Sequence, residues 1–217
     1  MDFKYNLNVE RIKDADKKVN ETRDGFGSKS GFYLTLIEYI AVVTNDKGSK
    51  TLNFKLSNQD RSSSIVAYLR MTNNDGKPSF QAPLLDKLMT ILEIDELTTN
   101  KEDVKLYATL NEYDVIQEIK EKVVCIQLER EWSKYNGKLY SKNNIRNFFR
   151  AKDYATAKEI LEAKDFGKYF NSVKDYENFN KVKYVDTNEE EVKYFLQHKE
   201  LPKKKSNIAI SEDEIPF

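Results

Sequence analysis

The longest apolar stretch of the chain, Phe32 to Thr44, is followed by a cluster of turn-forming residues and a second β-type segment. The cluster covers residues 45–49, and the second segment runs from Lys50 to Ser57. Because Asn, Asp and Gly favour turns, this pattern predicts a β-hairpin with a five-residue connection. Apolar residues alternate with polar ones in the second segment, so one face of that strand is expected to pack into a core.

The segments after this hairpin carry the patterns of both strands and helices. Residues 64–72 alternate like a strand, and residues 73–78 carry the Asn, Asp, Gly and Pro of a strong turn. Leucine and isoleucine then recur at helical spacing from Pro83 to Leu97, with the proline in a first helical turn. We also predict strands at residues 105–109 and 123–132, and helices at residues 111–122, 155–164 and 189–198.

This order of about five strands, with a helix between the third and the fourth, indicates a mainly β protein with accessory helices. It fits an OB-fold, a five-stranded, partly open barrel, although an SH3-like barrel or a short sandwich has the same strand count. The expected organisation is a polar lead-in (1–30), an OB-fold-like domain (31–165), an accessory helical segment (166–200) and a flexible, disordered acidic tail (201–217).

Charge and cysteine content narrow the class of protein. Lys plus Arg and Asp plus Glu number 36 each, so the location of positive charge matters more than its sum. Cys125 is the only cysteine, which excludes a disulfide and a cysteine-based zinc site. The first residues resemble no signal peptide, and no apolar stretch is long enough for a membrane span. We therefore expect a cytoplasmic protein without a metal or other cofactor.

The stretch from Trp132 to Lys152 is the strongest local concentration of positive charge. It contains six Lys or Arg residues and no Asp or Glu, and aromatic residues are interleaved with the cations. Single-stranded nucleic acid requires this combination, because cations contact phosphates and flat rings stack on bases. We call this stretch the basic window.

A tight turn at Asn136-Gly137 predicts that the basic window begins as a hairpin. On its first arm, Arg130, Trp132 and Lys134 are two residues apart and share one face, while Glu129 and Glu131 face the other way. Tyr68 and Arg70 have the same spacing on an earlier strand. The predicted DNA-contacting residues are Tyr68, Arg70, Arg130, Trp132, Lys134, Tyr135, Lys138, Tyr140, Lys142, Arg146 and Arg150.

Two aromatic residues of the basic window have a simpler interpretation as core residues, and the sequence offers little sign of a catalytic site. Phe148 and Phe149 are adjacent, which is typical of core packing. His198 is the only histidine and lies far from any apolar serine context, so no nucleophile–histidine arrangement is expected. The glycines of residues 25–31 lack the Gly-Lys-Ser/Thr ending of a phosphate-binding loop. We predict a protein that is not an enzyme.

The chain ends in Glu212-Asp213-Glu214-Ile215-Pro216-Phe217. A terminal Phe and its carboxylate suit a pocket with a basic rim on another protein, and the proline lowers the ordering cost of docking. This motif resembles the C-terminal tip of bacterial and bacteriophage single-stranded DNA-binding proteins. The order of elements in residues 30–165 is similar to that of the phage-encoded members.

The resemblance implies a protein that coats single-stranded DNA without sequence specificity during phage replication and recombination. It implies that the tip recruits partners such as a polymerase, helicase, primase or nuclease. Alternatives are a strand-annealing recombination protein and an adaptor that uses the tip without binding DNA. The lysine-bearing tether is shorter than the Gly/Pro/Gln-rich tether of cellular members.

Overall fold

The structure is a computed structural model that describes residues 26–107 and 109–199. The predicted lead-in up to residue 25, and the predicted tail with its tip, lie outside the described residues. The described part is mainly β. Its strands are β1 (Gly31–Thr44), β2 (Lys50–Ser57), β3 (Ser64–Arg70), β4 (Thr99–Val104), β5 (Asn111–Ile116), β6 (Lys122–Tyr135), β7 (Lys138–Arg150) and β8 (Lys183–Val185). Its helices are α1 (Pro83–Leu92), α2 (Ala157–Leu161), α3 (Lys168–Val173), α4 (Glu177–Asn180) and α5 (Glu189–Lys199).

Strand β1 pairs with three other strands. Its first half, Gly31–Ile37, is antiparallel to β6, and its second half, Leu36–Thr44, is antiparallel to β2. A register shift between Ile37 and Tyr39 separates the halves, as a β-bulge bends a strand and re-aims its hydrogen bonds. Ala41 and Val42 also pair with β5. One long, bent strand therefore organises the sheet.

The strand order of the sheet is β4-β5-β1-β2-β3-β7-β6-β8, with the additional pairing of β1 with β6. Strands β2 and β3 are antiparallel over their full length, whereas β3 and β7 are parallel and meet at Tyr68 and Asn144. The core is formed by alternate residues of these strands and by Leu88 and Ile91 of α1.

Most of the predicted elements are confirmed. The β1–β2 hairpin, the turn at residues 73–78, the leucine-rich helix after β3, the strand at β6 and the C-terminal helix α5 occur where the sequence indicated. The predicted helix over residues 111–122 is wrong, because its first half is strand β5, paired along its length with β4. The predicted strand at residues 105–109 is also wrong, since the described residues there form a bend between β4 and β5.

The chain divides into two compact units. Among the described residues, the first comprises residues 26–107 and 109–131 together with Ser141–Lys183, and the second comprises Trp132–Tyr140 and residues 184–199. The second unit contains the turn between β6 and β7, in which Asn136 and Gly137 both have positive φ angles, 47° and 75°. These angles fit the two-residue hairpin turn that the Asn-Gly pair predicted.

Aromatic packing attaches residues 154–179 to the strands of the first unit. Phe170 stacks on Tyr154 at 4.3 Å between ring centroids, and it meets Phe32 of β1 and Phe149 of β7 edge to face at 5.2 and 5.4 Å. The connection into α3 passes through Gly167, whose φ angle is +74°. A Cβ atom there would lie 2.3 Å from the carbonyl oxygen of Asp153, so only glycine fits without movement of the backbone.

We predict that Gly167→Ala destabilises the protein far more than Gly76→Ala does. Gly76 has a similar φ angle of +78° but open space around its Cβ position, so its substitution costs about 1–2 kcal/mol for the left-handed backbone alone. At Gly167 the contact with Asp153 adds about 1–3 kcal/mol of overpacking. Urea denaturation of the two variants measures the difference, and equal free energies of unfolding would contradict the assignment.

Candidate nucleic-acid interface

Arg130 of β6 is fixed by side chains of the neighbouring strand β7. Its guanidinium donates hydrogen bonds to Oγ of Ser141 at 2.7 Å and to Oδ1 of Asn143 at 3.2 Å. Its backbone N–H donates to Oγ of Ser30 at 2.9 Å. Burial lowers the pKa of Arg130, and the nearby hydroxyl of Tyr68 acts in the opposite direction. The side chain is a positioned cation, half-buried in the first unit.

Two tyrosines meet close to this arginine. The hydroxyl oxygens of Tyr68 on β3 and Tyr107, which follows β4, are 3.0 Å apart. Burial raises the pKa of Tyr68, while the hydrogen bond with Tyr107 and the charge of Arg130 lower it by less. Tyr68 is therefore neutral at physiological pH. Tyr107 keeps 46% of its surface exposed and can offer its ring to a ligand.

The strands around Tyr68 supply a polar floor. Asn53 of β2 lies opposite Tyr68 in the β2–β3 register and opposite Ala41 in the β1–β2 register, so the three side chains share a face. Asn53 is 2% exposed, and its Oδ1 atom has no hydrogen-bond partner among the described residues. We call Asn53, Tyr68, Tyr107 and Arg130 the tyrosine–arginine surface.

Several cations of the basic window form ion pairs. Lys142 lies 3.0 Å from Oε1 of Glu131, and Arg146 pairs with Glu129. Arg150 donates two hydrogen bonds, of 2.9 and 2.6 Å, to the carboxylate of Asp153. The stretch is free of acids only along the sequence, because β6 and the turn after β7 bring carboxylates to it.

Strand alternation separates the predicted contacts into two faces. Glu129 and Glu131 alternate with Arg130 on β6, and they hold Arg146 and Lys142 on the face opposite to Arg130. The structure therefore brings Arg130 together with Tyr68, and it places Lys142 and Arg146 elsewhere. Arg70 is exposed at the end of β3, where its backbone N–H donates to Gln81.

The remaining predicted residues belong to the second unit. Trp132 is half-buried and meets Phe195 of α5 edge to face, with ring centroids 6.4 Å apart. Lys134 pairs with Glu191 of the same helix. Tyr135 and Lys138 flank the hairpin turn and are exposed, and Tyr140 is half-buried.

Burial bears on two further sequence interpretations. Phe148 and Phe149 are fully buried, so their interpretation as core residues is confirmed. Cys125 is buried too, and burial raises the pKa of its thiol to about 12. Within residues 26–107 and 109–199, no group of three or more His, Cys, Asp or Glu side chains could hold a metal ion. No helix in the described part of the chain has the length and apolar character of a membrane span.

Sequence reasoning missed Tyr107 and Asn53. Tyr107 lay in a stretch interpreted as a plain strand, and Asn53 was one of the polar residues alternating with the apolar face of β2. Their place beside Tyr68 depends on strand register and on the bend after β4, which no local pattern near either residue reveals. Comparisons with known proteins give no further guidance: no protein-family model matches the chain, and no curated protein is significantly similar to it.

The buried carboxylate of Glu131 generates a pH-dependent prediction. Burial acts to raise the pKa of Glu131, but hydrogen bonds from Lys183 and Lys142 outweigh it and hold the pKa below its usual range. A depressed folded-state pKa stabilises the protein above the unfolded-state pKa of roughly 4.3, and the contribution disappears as the pH falls through the folded-state pKa. Glu131→Gln should cost about 1–3 kcal/mol at pH 7.

Urea denaturation of wild type and Glu131→Gln at pH 7 and at pH 3 checks this prediction, because the difference should shrink at the lower pH. Glu112→Gln is the matched control: its exposed pair with Lys101, at 2.9 Å, is screened by solvent, so this substitution should change the free energy of unfolding little at either pH. A difference for Glu131→Gln that does not change with pH would rule out the charge as its cause.

Proposed function

We propose that the protein binds single-stranded DNA without sequence specificity, on an OB-type barrel. The barrel proposal rests on strand pairing: β1 pairs with β2 and β6, β2 with β3, β3 with β7, and β7 with β6. This cycle has five members, and α1 lies in the chain between the third and fourth of them. Strands β4 and β5 form a hairpin attached to β1 outside that cycle.

The observation that carries the proposal is the tyrosine–arginine surface. It offers an exposed ring on Tyr107, a second ring on Tyr68 and a positioned cation on Arg130. Rings that stack on any base, together with cations for phosphates, give affinity without sequence readout. The paired lysines and arginines of the basic window support the proposal less, since a phosphate would have to compete with their carboxylates.

The tip extends the proposal to partners. The motif from Glu212 to Phe217 resembles the recruiting tip of single-stranded DNA-binding proteins. We therefore propose that the protein serves phage DNA replication and recombination and brings partner enzymes to the coated strand.

An adaptor that engages replication proteins through its tip, without binding DNA, is the second candidate. It is favoured by the ion pairs of Lys134, Lys142, Arg146 and Arg150 and by the packing of Trp132 on Phe195. Under this alternative the basic window is a stabilising network rather than a DNA contact.

We predict that the full chain binds fluorescein-labelled oligo-dT and that Tyr107→Ala weakens binding about 5–150-fold, the range expected for one lost stacking contact of roughly 1–3 kcal/mol. Tyr176→Ala is the matched control, because Tyr176 is also exposed but lies after α3. Fluorescence anisotropy across a salt series should give a log–log slope of about 0.7 per phosphate contact.

The same titration separates the candidates. No binding at low salt would contradict the coating proposal and leave the adaptor as the better account. Equal losses in Tyr107→Ala and Tyr176→Ala would contradict the assignment of the tyrosine–arginine surface. Faster pairing of complementary strands in the presence of the protein would identify an annealing protein.

A further inference from the structure

A cavity of about 410 Å³ lies on the face of β6 and β7 opposite to Arg130. Its size is within the range of roughly 300–1,000 Å³ that small-molecule sites occupy. Gln127 and Glu129 of β6 and Arg146 of β7 line it from the sheet, and Tyr169 and Phe179 line it from the C-terminal segment of the first unit. It is separate from the tyrosine–arginine surface, whose residues do not contribute to it.

Two side-chain amides in this cavity lack protein partners. Gln127 is only 6% exposed and lines the cavity, and among the described residues its amide forms no hydrogen bond. The half-buried Asn147 also lines the cavity, and its amide forms no hydrogen bond among the described residues either. Solvent reaches the polar atoms of both amides, since neither side chain has a fully buried unpartnered atom, and a ligand that supplies donors and acceptors would replace that water. Amides of this kind match the hydrogen-bonding edges of nucleobases.

The charge of the lining suits an anion. Three cations, Lys87, Arg146 and Lys181, stand against one carboxylate, Glu129, which leaves a net charge of +2. Glu129 is paired with Arg146, so the two lysines carry the excess. Neither lysine forms an ion pair with a carboxylate of the described residues.

The aromatic wall is held in place by the protein. Tyr169 is 42% exposed, and its ring is stacked on Phe149 with centroids 6.3 Å apart. Its backbone N–H donates to Oε1 of Glu159 at 2.9 Å, and the other carboxylate oxygen of Glu159 caps α2 through Thr156. Phe179 lies against Phe32 of β1. A ring already ordered by such contacts pays little entropy when a base packs on it.

We propose that this cavity binds one nucleotide unit, with its base against Tyr169 and Phe179, its base edge on the amides of Gln127 and Asn147, and its phosphate near Lys87 and Lys181. The source that fits the proposed function is a nucleotide of the bound single strand, and in that form the inference rests on the proposed function. A free nucleoside monophosphate has the same chemistry and is distinguished by the test.

The test uses the full chain and two variants of the cavity. The pair Lys87→Ser/Lys181→Ser should weaken oligo-dT binding about fivefold near 0.1 M salt and reduce the salt slope by about 0.7, for the loss of one phosphate contact. Gln127→Leu keeps the side-chain volume and should weaken binding several-fold with no change in slope, since an amide releases no counterion. Lys77→Ser/Lys158→Ser, at two exposed lysines outside the cavity lining, should leave both quantities unchanged.

A second measurement reports location directly. Irradiation of a complex with an oligonucleotide carrying 5-iododeoxyuridine should cross-link a peptide that contains Tyr169 or Phe179, and Gln127→Leu should reduce this product. Unchanged affinity and slope in the cavity variants, with cross-links only at other peptides, would overturn the cavity proposal and leave single-strand coating intact.

Failure of the proposed function has a different signature. If the wild-type chain binds no oligonucleotide, the proposed function is wrong, and calorimetric titration with dTMP and dAMP then tests the cavity proposal by itself. Binding that Gln127→Leu abolishes would support a site for free nucleotides, and no binding of either would overturn it.

Discussion

The bent strand β1 is the constraint on which the rest of the structure depends. Its bulge between Ile37 and Tyr39 turns the first half toward β6 and the second half toward β2. This one strand is hydrogen-bonded to β6, β2 and β5. The buried residues Ile37 and Ile40, on either side of the bulge, show that the core continues across it. The face that carries Asn53 and Tyr68 is therefore set by a register established at β1.

Strand alternation then determines which charged side chains can form ion pairs. On β6, Gln127, Glu129 and Glu131 point to one face, and Leu128 and Arg130 to the other. The acids on the first face engage Lys142, Lys183 and Arg146, so a stretch that is strongly basic in sequence has compensated cations in the fold. Arg130 is held by the neutral side chains of Ser141 and Asn143. Of the cations predicted to contact DNA, it is the one that lies close to Tyr68.

Local patterns predicted the parts of the fold that local chemistry determines. Alternation, the Asn-Gly turn and the leucine spacing located β1, β2, β3, α1 and β6, because each signal lies within the element itself. Strand β5 was misjudged because Asn111–Ile116 is polar on one side and rich in charge, and it becomes a strand through pairing with β4. The sequence did not single out Tyr107 and Asn53 for a related reason, since a surface assembled from β2, β3 and a bend has no signature in any one segment.

The C-terminal part of the first unit also forms one wall of the cavity on β6 and β7. Residues 166–183 are the first part of the predicted accessory helical segment and contain the short helices α3 and α4. Phe170 and Phe179 pack against Phe32, and Gly167 permits the close turn at Asp153. This packing places Tyr169 and Phe179 above a sheet face that would otherwise be an open surface of Gln127, Glu129 and Arg146. The aromatic anchors thus convert one side of the sheet into a cavity, independently of the tyrosine–arginine surface on the other.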